Sequence, residues 1–182
     1  SAGARTVHTM AHDGDTVSLP PHIAYAQSST EQIYHLYPPL RDVPLTPLHV
    51  PLTLHTLAEL MHTSDDALEN ACALHAAITL DVPMPDEPTV TLHKFRRLIG
   101  TGIDPAHYVI GVIDGQYVAE SMMQVDDAHP DVVWQHATGV LPAFRGLGIA
   151  QHVKHAAILI AQQHGAKEIR TWVESRNMPM LH

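Results

Sequence analysis

The chain has 182 residues and a formal net charge of −9 with histidine neutral. Only 10 residues are Lys or Arg against 19 Asp or Glu, which argues against a nucleic-acid binder, whose phosphate contacts need basic patches. The lone cysteine, Cys72, excludes an internal disulfide and fits a reducing, cytoplasmic compartment.

Residues 1–35 read as an N-terminal arm, with short strands expected at "TVHTM" and "HIAYAQ". The stretch "GARTVHTMAHDGDTVSL" (3–19) lies without gaps on "GAKEIRTWVESRNMPML" (165–181). Gly3, Ala4, Thr9 and Leu19 fall on Gly165, Ala166, Thr171 and Leu181, so the arm is expected to be the remnant of a preceding copy of the same fold. Pro38, Pro39, Pro44, Pro47 and Pro51 then punctuate the chain, and residues 36–51 are expected to form a linker or extended arm.

Regular patterning starts at "LTLHTL" (52–57), a predicted strand. After Ser64, apolar residues recur at helical spacing through Leu68, Ala71, Cys72, Leu74 and Ile78, with acidic residues in the first turns. Pro83, Pro85 and Pro88 end that helix, and a second is predicted over 90–99. "HYVIGVI" (107–113) and "QYVAESMMQV" (116–125) read as a hairpin turning at Asp114–Gly115. A third strand is expected over 131–141, a helix over 146–164 capped by Gly165, and a final strand over 167–173. The closing strand–helix–strand crossover implies a locally parallel pair, hence an α/β (α+β) mixed sheet over 52–182. The most apolar run, "AAILIA" (156–161), is far too short to span a bilayer, and the chain lacks a signal-peptide pattern at its start, so no membrane partner is expected.

"GVLPAFRGLGIA" (139–150) carries the densest chemical signal. Gly146 and Gly148 precede a predicted helix whose first N–H groups lack intrahelical acceptors and favour an anion. The same glycines would serve a plain strand-to-helix turn, and spacing alone leaves the two readings open. No Gly-Lys-Ser/Thr follows, which disfavours Walker-type nucleotide binding, and G-x-G-x-x-G is absent, which disfavours a dinucleotide site.

With Val140, Pro142, Arg145, Gly146, Gly148 and Ala150 in place, and Asn177 and Met180 in "ESRNMPM", the segment from about 50 to 182 resembles the GNAT superfamily of acyl-CoA-dependent N-acyltransferases. Arg145, Gly148 and Ala150 supply the family's Q/R-x-x-G-x-G/A terms. The resemblance implies that the main chain of Arg145, Gly146, Leu147, Gly148, Ile149 and Ala150 holds the pyrophosphate of acetyl-CoA. It also implies that Val140 pairs with the pantetheine arm between two splayed strands, and that Asn177 touches the CoA from the other side. The family continues beyond this point with a helix and two strands, and a tyrosine there often protonates the thiolate. These strands are expected to be missing here and replaced by the N-terminal arm, with Tyr25, Tyr34 and Tyr37, or by an upstream copy.

The expected activity is transfer of an acetyl group from acetyl-CoA to a small-molecule amine by direct attack; the alternative is a CoA-binding or structural domain without turnover. Glu120 and His136 are the candidate bases, and Asp81 lies where acceptors enter in the family. His152, His155 and His164 sit at helical spacing without a local carboxylate or thiol, so no metal is expected. Trp134 and Trp172 read as packing residues. A second copy, or a second domain of the same kind, is the macromolecular partner this reading allows.

Overall fold

A computed structural model of the chain describes residues 31–36, 45–80 and 90–174, with 31–36 and 172–174 as backbone only. Its centre is the predicted hairpin. β3 (Tyr108–Ile113) and β4 (Gln116–Val125) are rich in β-branched and aromatic side chains, and Asp114 and Gly115 turn between them with φ of 48° and 80°, as a type I′ turn requires. β5 (Val132–Val140) adds antiparallel to β4, and β2 (Thr53–Thr56) adds antiparallel to β3. α4 (Ile149–Gln163) crosses over to β6 (Glu168–Glu174), which lies parallel to β5. The sheet is therefore mixed, as expected. Gly165 ends α4 with φ 93°, and the Ala166 N–H returns to the Ala161 carbonyl at 3.0 Å.

Helices cover both faces. α4 packs Ile149, Val153, Ala157 and Ala161 against Val109, Val118, Met123 and Val140. On the opposite face lie α1 (Leu57–Thr63), α2 (Ala67–Thr79) and α3 (Leu92–Thr101). Their Leu57, Ala71, Leu74 and Phe95 pack against Tyr108, Ile110 and Met122. Each fully buried large apolar side chain of this kind contributes about 1.5–3 kcal/mol.

Three features depart from the sequence reading. The strand expected over 52–57 stops at Thr56, and Leu57 opens a helix. Thr56 accepts from the Glu59 N–H at 3.2 Å while Glu59 Oε2 accepts from the Thr56 N–H at 2.8 Å, a capping box that starts α1. Second, residues 45–51 are extended but not detached. Leu48, Val50 and Leu52 pack on the cluster beneath α4, and Thr46 Oγ1 donates to Gln151 Oε1 at 3.0 Å. Third, β1 (Glu31–Leu36), drawn from the arm and the first residue of the expected linker, forms the sheet edge beyond β6. It runs antiparallel from Glu31↔Glu174 to Leu36↔Ile169. The sheet order is β1-β6-β5-β4-β3-β2. The strands expected at "TVHTM" and "HIAYAQ", and the repeat at 3–19, lie outside the described residues.

Candidate active site

The two parallel strands part where the glycine loop begins. β5 and β6 pair from Val132↔Glu168 to Gln135↔Thr171 and no further, although β5 runs on to Val140 and β6 to Glu174. β5 stays bound to β4 throughout, ending at Ala119↔Val140. The register moves from Met123↔Gln135 to Met122↔Ala137, which leaves His136 as a bulged residue at the point of divergence. Bulges of this kind twist a strand and re-aim its side chains.

The Leu141 N–H donates to the Val118 carbonyl at 2.9 Å, toward β4. Main-chain groups alternate sides along a strand, so Val140 and Thr138 turn theirs toward the gap left by β6. The Val140 carbonyl there accepts from Arg145 Nε at 3.0 Å. A 3-10 turn, Pro142–Phe144, leads into the loop. Gly146 and Gly148 hold φ of 75° and 81°, the left-handed region that side chains disfavour, and Gly148 caps α4 without a side-chain acceptor. The first N–H groups of α4, at Ile149 and Ala150, have no acceptor within the helix. Arg145 and Leu147 are exposed. One contiguous segment thus brings together Val140, Arg145, Gly146, Leu147, Gly148, Ile149 and Ala150. Asn177 and Asp81 lie outside the described residues.

On the face covered by α1–α3, Glu120 is fully buried opposite Gly139. Its Oε1 lies 2.9 Å from His75 Nδ1 on α2, and its Oε2 accepts from the Tyr108 hydroxyl at 2.5 Å. Burial raises the Tyr108 hydroxyl well above its usual range, and the neighbouring Glu120 carboxylate adds to this, so the phenol stays protonated and donates. His136 is exposed. Protein packed around its ring lowers its proton affinity, the charge of His75 adds to that, and Glu120 opposes it. The two expected bases therefore belong to one cluster, together with His75 and Tyr108, which the sequence reading did not single out. Their signal was thin: a histidine on an apolar helix face and a tyrosine at the start of an apolar strand.

A second polar group spans β4 and β5. Gln135 Nε2 donates to Ser121 Oγ at 3.1 Å and to Thr138 Oγ1, and the two hydroxyls are 3.0 Å apart. It ties the strands together on either side of the bulge. His152 Nδ1 lies 3.1 Å from the Gly148 carbonyl, and His164 Nδ1 lies 3.0 Å from His107 Nε2. Among the described residues no three His, Cys, Asp or Glu side chains converge as metal ligands would. No helix among them is long and apolar enough to cross a membrane. Trp134 lies under the Arg170 guanidinium, 5.6 Å from the ring centre, and donates to Asp126 at 3.0 Å.

The chain belongs to the acetyltransferase (GNAT) family, whose profile matches residues 74–182. Solved structures share the fold. A GCN5-related N-acetyltransferase from Sphaerobacter thermophilus is 19% identical with a TM-score of 0.58; the match covers 81% of this chain and 44% of that one, so this chain spans less than half of that relative. An N-acetyltransferase from Staphylococcus aureus Mu50 is 13% identical, covers 71% and 78%, and has a TM-score of 0.58. The diaminobutyrate acetyltransferase EctA from Paenibacillus lautus, solved with L-2,4-diaminobutyric acid and coenzyme A, is 16% identical, covers 72% and 71%, and has a TM-score of 0.53. A search of the curated proteins finds no match.

Proposed function

We propose that this protein transfers an acetyl group from acetyl-CoA to a small-molecule amine. The observation that carries the reading is the parting of β5 from β6 after Gln135↔Thr171, directly before a glycine loop that opens α4. Main-chain groups of Thr138 and Val140 turned to the gap suit an extended amide chain lying there as an added strand. The N–H groups from Gly146 to Ala150, with the α4 dipole, suit the pyrophosphate, and Arg145 adds positive charge beside them. Two relatives support the ligand class: yncA from Salmonella typhimurium was solved with acetyl-CoA, and EctA with a diamine acid and CoA.

In this reading the amine nitrogen attacks the thioester carbonyl carbon. The C–N bond forms, the C–S bond breaks with its electron pair on sulfur, and the amine loses one proton to the protein. The thiolate then takes up a proton, so the products are an amide and free CoA. An N–H of the parted β5 segment, near Val140, stabilises the oxyanion that develops on the carbonyl oxygen. Glu120 and His136 border this stretch of β5, and a buried acid–histidine cluster there favours turnover over mere binding. The lone thiol, Cys72, is buried and free, in keeping with a reducing cytoplasm.

Calorimetric titration with acetyl-CoA, CoA and ATP tests the reading. Acetyl-CoA and CoA are expected to bind and ATP is not, and Arg145→Glu is expected to abolish binding. No heat from acetyl-CoA at millimolar ligand would sink the proposal.

A further inference from the structure

We propose that His75 takes the proton from the acceptor amine, and that Glu120 and Tyr108 position its ring for that step. This rests on the acyl-transfer reading above and names the residue that completes it.

Glu120 is fully buried and both of its oxygens are engaged, one by His75 and one by Tyr108. A carboxylate so placed cannot meet an incoming amine without breaking both bonds and leaving donors unpaired in the core. Its chemistry is passed outward through His75. The carboxylate only accepts, so Nδ1 carries the hydrogen in that 2.9 Å bond, and the lone pair of the neutral ring sits on Nε2. The His75 side chain is 14% exposed while Nδ1 faces a fully buried partner, which leaves Nε2, on the other side of the ring, as the nitrogen open to an incoming amine. Among the described residues Nε2 has no hydrogen-bond partner. Phe95 lies 5.6 Å from the imidazole, itself edge-on to Tyr108 at 6.3 Å, and this stack limits rotation of the ring.

The position is also right. Glu120 is the cross-strand partner of Gly139, within the part of β5 that has left β6. Ile78, one turn beyond His75 on α2, lies directly over Gly139. His75 therefore stands beside the gap assigned to the thioester, on the face of the sheet opposite α4. As the amine attacks, its N–H proton passes to Nε2, and the ionised Glu120 stabilises the resulting imidazolium. The proton then leaves to the departing thiolate or to water. His136 is nearby on β5, and the imidazole that lies within hydrogen-bond distance of the carboxylate, at 2.9 Å, is that of His75.

The test uses the full chain, acetyl-CoA, and a panel of primary amines with thiol release as the signal. His75→Ala is expected to hold acetyl-CoA within about threefold of wild type yet lose on the order of 10²-fold or more in kcat. Added imidazole is expected to restore part of that loss. Tyr108→Phe is expected to lower kcat with the amine KM unchanged. If His75→Ala fails to fold, His75→Gln, which retains a donor toward Glu120, carries the same comparison without the rescue. Turnover by the His75 variant within about threefold of wild type overturns the assignment, as does a loss that imidazole cannot restore in folded His75→Ala. Should wild type bind acetyl-CoA but release no thiol with these amines, ring-nitrogen NMR decides: a neutral Nδ1–H tautomer at His75 that is lost in Glu120→Gln supports the assignment, and an Nε2–H tautomer overturns it. Absence of acetyl-CoA binding overturns the acyl-transfer reading first, and so is told apart from failure of His75 alone.

Discussion

A Cβ placed on Gly139 would overlap Cγ2 of Ile78. α2 therefore rests on the β5 backbone at the point where β5 has parted from β6, and the close approach seats His75 over Glu120. Gly139→Ala would force α2 away or drive Ile78 off its rotamer, at a cost of about 1–3 kcal/mol. The melting temperature is expected to fall by several degrees, with amine turnover falling further than acetyl-CoA affinity. Ile78→Ala in the same chain should recover part of the loss caused by Gly139→Ala. A double-mutant cycle with no coupling between the two positions would refute this contact.

Gly148 makes a similar point at the loop. Its φ of 81° would cost a side chain about 1–2 kcal/mol, and a Cβ there would also press to 3.3 Å from Thr46. Gly148→Ala should therefore tilt the first turn of α4 and displace the N–H groups assigned to pyrophosphate. Acetyl-CoA affinity is expected to drop by about tenfold or more, equivalent to about 1.4 kcal/mol, while the far-UV spectrum stays that of the wild type. Unchanged affinity would place the anion elsewhere.

The parts of the fold that could be read in advance are those with a period of their own. α2, α3, β3, β4, β5, α4 and β6 each carry a helical or alternating apolar pattern, and the turns at Asp114–Gly115 and Gly165 have local dihedral reasons. β1 has no such signal: "EQIYHL" becomes a strand because β6, far along the chain, offers it an open edge. α1 has a local signal that the apolar run masks, since Thr56-Leu57-Ala58-Glu59 is a capping-box sequence. The glycine loop could be recognised because its function lies in contiguous backbone. His75 and Tyr108 could not, because each is a single polar group in an apolar segment, and only packing of α2 on the sheet brings them to Glu120.

The capping box sets a modest prediction. Thr56→Ala leaves the Glu59 N–H without its side-chain acceptor and should cost about 1 kcal/mol, read as a shift in the denaturation midpoint at constant slope. Since α1 is only seven residues long, the loss should appear first as faster amide exchange within Leu57–Thr63. Exchange there equal to that of wild type would contradict it.

Asp126 supplies an acid-sensitive contact away from the proposed site. The Trp134 ring N–H holds its carboxyl down to about 2 from 3.8, and the Ala128 and His129 N–H groups and the His129 ring assist. A carboxyl whose folded value lies below its unfolded one binds fewer protons when folded. Its stabilisation is complete above the unfolded value of 3.8 and is lost as pH falls toward 2. Asp126→Asn should therefore be less stable than wild type at pH 5, and the difference in melting temperature should shrink on acidification. A constant difference across that range would show that the charge plays no part.

His136 offers a direct reading of the charges in the cluster. Burial lowers its proton affinity below the ordinary 6.5, the charge of His75 lowers it further, and Glu120 pulls it back up. Folding therefore favours the neutral ring, and the stability His136 contributes is complete above 6.5 and is lost as pH falls below it. The ring proton at Cε1, assigned by comparison with His136→Gln, can be followed by NMR through this window. In Glu120→Gln the midpoint should move down, because the one group that favours the charged ring is gone. In His75→Gln it should move up, because the imidazole that repels His136 once protonated is gone. Opposite displacements would show that the three side chains share one electrostatic environment on the α2 side of β5. Midpoints that stay fixed in both variants would separate His136 from the pair and leave it as a bulged surface residue.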